Sequence, residues 1–158
     1  MAQDKKKKNE KLVAELNLLL ADYNVCYQKL RSYHWNVRGK RFFQLHEEFE
    51  KLYNETAVQA DEVAERISRL GTHPASTLKQ FLDLTRMKED DGNRNADEMV
   101  RGVIDDLEAL SSFGAEAIDI AEDHDDVATA NMLEDFIQRQ EEHAWMLGAW
   151  LNEGDVSK

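Results

Sequence analysis

Two pairs of side chains can do chemistry together. His46 and Glu50 stand four residues apart, as do Asp61 and Glu65, so on a helix each pair lies on one side and can converge on one cation. Advancing 100° per residue from His46, a face from about −40° to +60° collects His46, Glu50, Tyr53, Ala57, Ala60, Asp61, Ala64 and Ser68, with Glu65 at its margin. The midpoints of the two pairs are about 22 Å apart at 1.5 Å per residue, so one straight helix cannot bring all four groups to one ion. A second copy of the helix can. His46 and Glu65 are placed symmetrically about residues 55 and 56, and so are Glu50 and Asp61. An antiparallel partner related by a two-fold axis there sets each His-Glu pair against an Asp-Glu pair and generates two identical sites. The small residues Ala57, Ala60 and Ala64 permit close approach, and two-fold pairing is the commonest symmetry of oligomers.

His34 and His46 flank a tight link at Gly39, which makes His34 a further contributor. Two imidazoles and three carboxylates suit iron or zinc better than calcium or magnesium, and no thiolates are present to favour copper(I). A metal site inside one bundle is excluded in its usual form. Such sites use Glu-x-x-His on two helices, whereas the residues three before the five histidines are Arg31, Phe43, Leu70, Ala121 and Gln140.

The elements that must position these groups are helices. The only Pro is Pro74, and residues 1–38 and 40–70 contain no Gly, so long stretches carry no strong helix breaker. Leu12, Leu16, Leu19, Tyr23, Tyr27, Leu30 and His34 recur at helical spacing and predict a first helix from about residue 9 to 37. Leu45, Phe49, Leu52, Thr56, Val63, Ile67 and Leu70 predict a second that stops before Gly71. A short helix over residues 76–84 with a Ser cap interrupts a long connection, and residues 88–95 read as solvated loop. Met99, Val103, Leu107, Leu110, Gly114 and Ala117 mark a third long helix, and Leu133, Phe136, Ile137, Leu147 and Leu151 a fourth. The predicted fold is all-α, a ferritin-like four-helix bundle with a short extra helix in the crossover between the second and third long helices. One domain over residues 9–158 follows a flexible lysine-rich tail over residues 1–8.

Composition narrows the function classes. Lys plus Arg number 20 and Asp plus Glu 32 among 158 residues, for a net charge of −12, which argues against a folded surface that holds nucleic acid by general basicity. With 42% hydrophobic residues the chain has material for a core. The run Leu18 to Ala21 is far short of the roughly 20 residues of a membrane helix, so no membrane or export segment is expected. The lone Cys26 reads as a small buried hydrophobe and fits a reducing cytoplasm. The expected location is therefore the cytoplasm, with nucleoid association if the tail binds DNA.

The segment His34-Trp35-Asn36-Val37-Arg38-Gly39-Lys40-Arg41-Phe42-Phe43-Gln44-Leu45-His46 resembles the first signature of the Dps family, the miniature ferritins: His-Trp-x-Val-x-Gly-x-x-Phe, three residues, His. Asp61-Glu62-Val63-Ala64-Glu65-Arg66, running on through Leu70-Gly71 to Pro74, is similar to the second, with Ala60 where a larger apolar residue is usual. The resemblance implies a di-iron ferroxidase site at a two-fold subunit interface, with His34, His46 and Glu50 from one chain and Asp61 and Glu65 from its mate. Glu50 stands where the family usually has Asp. It further implies a shell of twelve subunits that oxidises Fe(II) with hydrogen peroxide, stores the ferric product and protects against oxidative damage. Trp35 would lie beside the iron, and acidic residues would line pores at threefold axes. Asp119, Glu122, Asp123, Asp125 and Asp126 form the densest acidic cluster for such a pore or the inner wall. Some members compact DNA through a lysine-rich tail, so Lys5, Lys6, Lys7 and Lys8 keep a DNA-organising role open as the alternative, with iron oxidation secondary. A purely structural bundle leaves the symmetric spacing unexplained.

Overall fold

The computed structural model describes the backbone of residues 2–152 and the side chains of residues 9–152. Five helices follow one another: α1 (Ala2–Asn36), α2 (Phe42–Arg69), α3 (Leu78–Leu84), α4 (Ala96–Glu122) and α5 (Val127–Leu151). Among the described residues there is no strand. The four long helices form the predicted ferritin-like bundle, with α1 and α2 as one hairpin, α4 and α5 as the other, and α3 in the crossover. The first helix differs from expectation at its start, Ala2 rather than residue 9, so the Lys5 to Lys8 run falls on its opening turns; the side chains of that run lie outside the described residues.

The core is built where the periodicity places it. Leu12, Leu16, Leu19, Phe49, Val63, Ile67, Met99 and Val100 are wholly removed from solvent. Each such burial contributes roughly 1.5–3 kcal/mol. Two helix starts are closed by capping boxes. Thr77 accepts from Gln80 N–H while Gln80 Oε1 accepts from Thr77 N–H, and Asn95 and Glu98 repeat the exchange at α4. The cap of the short helix is thus Thr77 rather than the expected Ser76, because only Thr77 is three residues before a Gln that can return the bond. The apolar pattern of α3 is only partly spent on the bundle core: Phe81 packs against it, while Leu78 and Leu82 are 79% and 51% exposed.

The crossover is tied down by a buried acid. Asp22 on α1 is wholly buried and accepts hydrogen bonds from Thr85 Oγ1, Arg86 N, Arg86 Nε and Arg86 Nη2. Arg86 also binds Glu15 at 2.6 Å. A second tie joins the hairpins, where Arg66 of α2 donates to both oxygens of Asp126 and to Thr129 Oγ1. Asp126 in turn caps α5 by accepting from Thr129 N–H at 3.1 Å. One member of the acidic cluster is therefore committed to holding α2 against α5. Among the described residues no helix is long and apolar enough to cross a membrane.

Candidate metal centre

The α1–α2 link does the positioning. Gly39 takes φ +112°, a backbone region L residues rarely adopt, and the chain reverses within five residues. The reversal lays His34 against His46, their rings stacked with centroids 3.7 Å apart and 19° between planes. His34 Nδ1 lies 2.7 Å from the His46 carbonyl, and His46 Nδ1 lies 2.8 Å from the His34 carbonyl. A carbonyl only accepts, so both Nδ1 atoms carry a proton, and in the neutral form of each ring the lone pair is at Nε2. Neither Nε2 has a hydrogen-bond partner among the described residues. This is the tautomer a cation needs from a histidine, fixed in advance by an outer hydrogen bond.

Neighbouring aromatics hold the rings. Phe42 stacks on His46 with centroids 4.9 Å apart, and Tyr53 meets His34 edge-on at 5.4 Å. The Tyr53 hydroxyl donates to Glu50 Oε1 at 3.4 Å. Partial desolvation and the Glu50 carboxylate push the Tyr53 phenol above its ordinary value. Trp35 is 57% exposed, with the Arg31 guanidinium 4.8 Å over its ring.

Of the five predicted donors, the chain brings His34 and His46 together, with Glu50 one turn farther along α2. Asp61 and Glu65 stay apart, exposed on the far half of α2, where Glu65 pairs with Arg69 at 2.9 Å. Among the described residues no three His, Cys, Asp or Glu side chains of one chain are grouped to hold a metal ion. The face of α2 that carries the donors is exposed at Ala57 and Asp61, half-buried at Tyr53 and Ala64, and buried at Ala60.

Sequence reasoning passed over a second histidine arrangement. His143 of α5 binds Glu55 of α2 at 2.7 Å. No motif marks it, because Glu55 lies 88 residues away and only the bundle packing joins them. It also passed over Tyr53 as a contact of the His34 ring, since an aromatic at helical spacing reads first as packing.

The chain matches the ferritin-like domain family over residues 13–156. It is 38% identical over 145 residues to DNA protection during starvation protein 2 of Bacillus anthracis, covering 92% of this chain and 99% of that one. A Dps protein from Bacillus brevis superposes with a TM-score of 0.90 at 40% identity, over 92% of this chain and 97% of the other. The Dps protein of Vibrio cholerae, a member of the ferritin-like diiron-carboxylate superfamily, gives 0.89 at 35% identity, over 92% and 91%. With that domain match and relatives similar along nearly their whole length, the chain belongs to the Dps family of ferritin-like proteins.

Proposed function

We propose that the protein is a ferroxidase of the miniferritin type. Fe(II), its substrate, binds where His34, His46 and Glu50 of one chain meet Asp61 and Glu65 of a two-fold mate. Two Fe(II) ions give one electron each, hydrogen peroxide takes both and, with two protons, leaves as two waters, so no hydroxyl radical is released. The ferric product is stored inside a shell of twelve chains. The observation that carries this reading is the reciprocal His34–His46 lock, which occupies both Nδ1 atoms and leaves both Nε2 atoms to serve as donors. The donors fit the ion: imidazole nitrogen and carboxylate oxygen suit iron, and the iron supplies the redox chemistry while the chain supplies ligand geometry and charge. Because coordination needs neutral imidazole, acid weakens binding.

The test is anaerobic addition of Fe(II) followed by peroxide, with ferric absorbance read for the parent and for an Asp61→Asn, Glu65→Gln variant of unchanged oligomeric size. Fast oxidation in the parent alone supports the reading. Equal rates in both overturn it.

DNA compaction is the second reading, favoured by the Lys5 to Lys8 run on the opening turns of α1 and by relatives named for DNA protection. Twelve displayed runs would bind by multivalency. Removal of residues 1–8 then abolishes DNA retention, itself steeply salt-dependent, and leaves iron oxidation unchanged.

A further inference from the structure

His143 lies between two carboxylates of α2 and uses only one of its ring nitrogens. Nε2 is 2.7 Å from Glu55 Oε2, a hydrogen bond in which the ring donates. Nδ1 is buried and has no hydrogen-bond partner. It faces Glu48 Oε1 at 4.0 Å, too far for a hydrogen bond. The other Glu48 oxygen faces Lys51 at 3.6 Å, so Oε1 is the one left over. Arg139 lies 3.8 Å from Glu55 Oε1 and adds positive charge beside the outer carboxylate. Side-chain exposures of 19% for His143 and 27% for Glu48 put the pair near the surface, with Nδ1 itself covered. They share the wall of an open cavity of about 460 Å³ with Gln44 and Trp150.

Buried polar atoms in folded proteins are nearly always satisfied, and an orphan points to a missing water or ion. The surroundings of this one have the form of a carboxylate–histidine–metal relay: an outer carboxylate takes the proton of one ring nitrogen and aims the lone pair of the other at a cation. Two bonds of about 2.1 Å meeting at a tetrahedral angle leave their donors about 3.4 Å apart. The observed 4.0 Å exceeds that by about 0.6 Å, the gap Glu48 would close on binding.

We propose that His143 Nδ1 and Glu48 Oε1 bind a divalent transition-metal ion on the α2–α5 face, with Glu55 orienting the imidazole and solvent completing the coordination. The site lies within one chain and does not depend on the shared site proposed above. One nitrogen and one carboxylate oxygen with water suit zinc or ferrous iron and disfavour soft copper(I). Two protein donors make it a weak, exchanging site.

The test is calorimetric titration of Zn(II) into the full chain carrying His34→Ala, His46→Ala, Asp61→Asn and Glu65→Gln, which leaves Glu50 as the sole remaining donor of the shared site. Three further variants are titrated on that background: His143→Gln, Glu48→Gln and Glu55→Gln. The expected result is one class of sites whose affinity falls at least tenfold with His143→Gln and with Glu48→Gln. Glu55→Gln, which removes only the orienting carboxylate, weakens it roughly 10- to 100-fold. Co(II) in place of Zn(II) reads out the same site by its visible absorbance, which His143→Gln removes. If His143→Gln does not keep the parent's oligomeric size, Glu48→Gln alone decides. Zn(II) affinity and the Co(II) spectrum unchanged by Glu48→Gln overturn the proposal.

Discussion

His34 and His46, on different helices, each bond through Nδ1 to the other's backbone carbonyl, at 2.7 and 2.8 Å. The exchange is symmetric and consumes one nitrogen of each ring. Two ring nitrogens therefore remain at one end of one chain, while the carboxylates of Asp61 and Glu65 remain at the other end of the same helix face. A site using all of them takes its halves from two chains. Co-assembly of a chain bearing His34→Ala and His46→Ala with one bearing Asp61→Asn and Glu65→Gln accordingly regenerates one intact site per mixed pair. Random pairing of equal amounts restores about a quarter of parent Fe(II) oxidation. No recovery on mixing, with each variant inactive alone, counts against a shared site.

Gly39 makes the His34–His46 contact through its backbone. At φ +112° nothing lies within 4 Å of where a Cβ would stand, so Gly39→Ala carries only conformational strain, of about 1–3 kcal/mol. Chemical denaturation should show that loss, and the strained link should slow Fe(II) oxidation as well. Gly92 differs: at φ +75° a Cβ would lie 2.6 Å from Ser32 Oγ. Gly92→Ala should cost more than Gly39→Ala in the same titration and leave the iron reaction alone.

Acid should loosen α2 from α5. Burial raises the Asp126 carboxyl, but the hydrogen bonds from Arg66 and Thr129 outweigh it and hold the group below its ordinary value. The unfolded chain then binds the proton more readily, so stability rises with pH across that window. It is fully present above the ordinary Asp value of 3.8 and lost as pH falls through the lower folded value. Asp126→Asn should flatten the acid limb of a stability-against-pH curve. Arg66→Met, which strands a half-buried carboxylate, should cost about 3 kcal/mol at neutral pH.

Asp22 should govern the crossover. It is wholly buried against Arg86, and Asp22→Ala leaves that guanidinium without its main partner, at about 3–5 kcal/mol. Limited proteolysis should then cut within residues 71–95 well before the rest of the chain. Resistance equal to the parent's would show that α3 is held by other contacts.

Cys26 should be silent. It is 1% exposed, and burial, with Asp106 adding to it, pushes its thiol far above the ordinary value, so no thiolate is available to react. A thiol reagent should label the protein only after denaturation.

Much of this was legible in the residue order. Apolar spacing of three and four gave the long helices and their buried faces because a helix repeats every 3.6 residues whatever its neighbours are. The His46–Glu50 and Asp61–Glu65 pairs share a face for the same reason, and the 22 Å between them is a property of any straight helix. Where bonds join distant elements, the chain alone was mute. The tautomers of His34 and His46 come from two carbonyls that meet only once Gly39 turns the chain back. Asp126 reads as one acid in a cluster, yet the packing of α2 on α5 pairs it with Arg66, 60 residues earlier. Asp22 carries no signal as a buried anchor, since what makes its burial tolerable is a guanidinium 64 residues downstream. His143 gains meaning from Glu48 and Glu55 only because the bundle sets α5 beside α2. Local periodicity is written residue by residue; hydrogen-bond partners across helices are chosen by the packing, which for most buried polar groups brings up another that satisfies them.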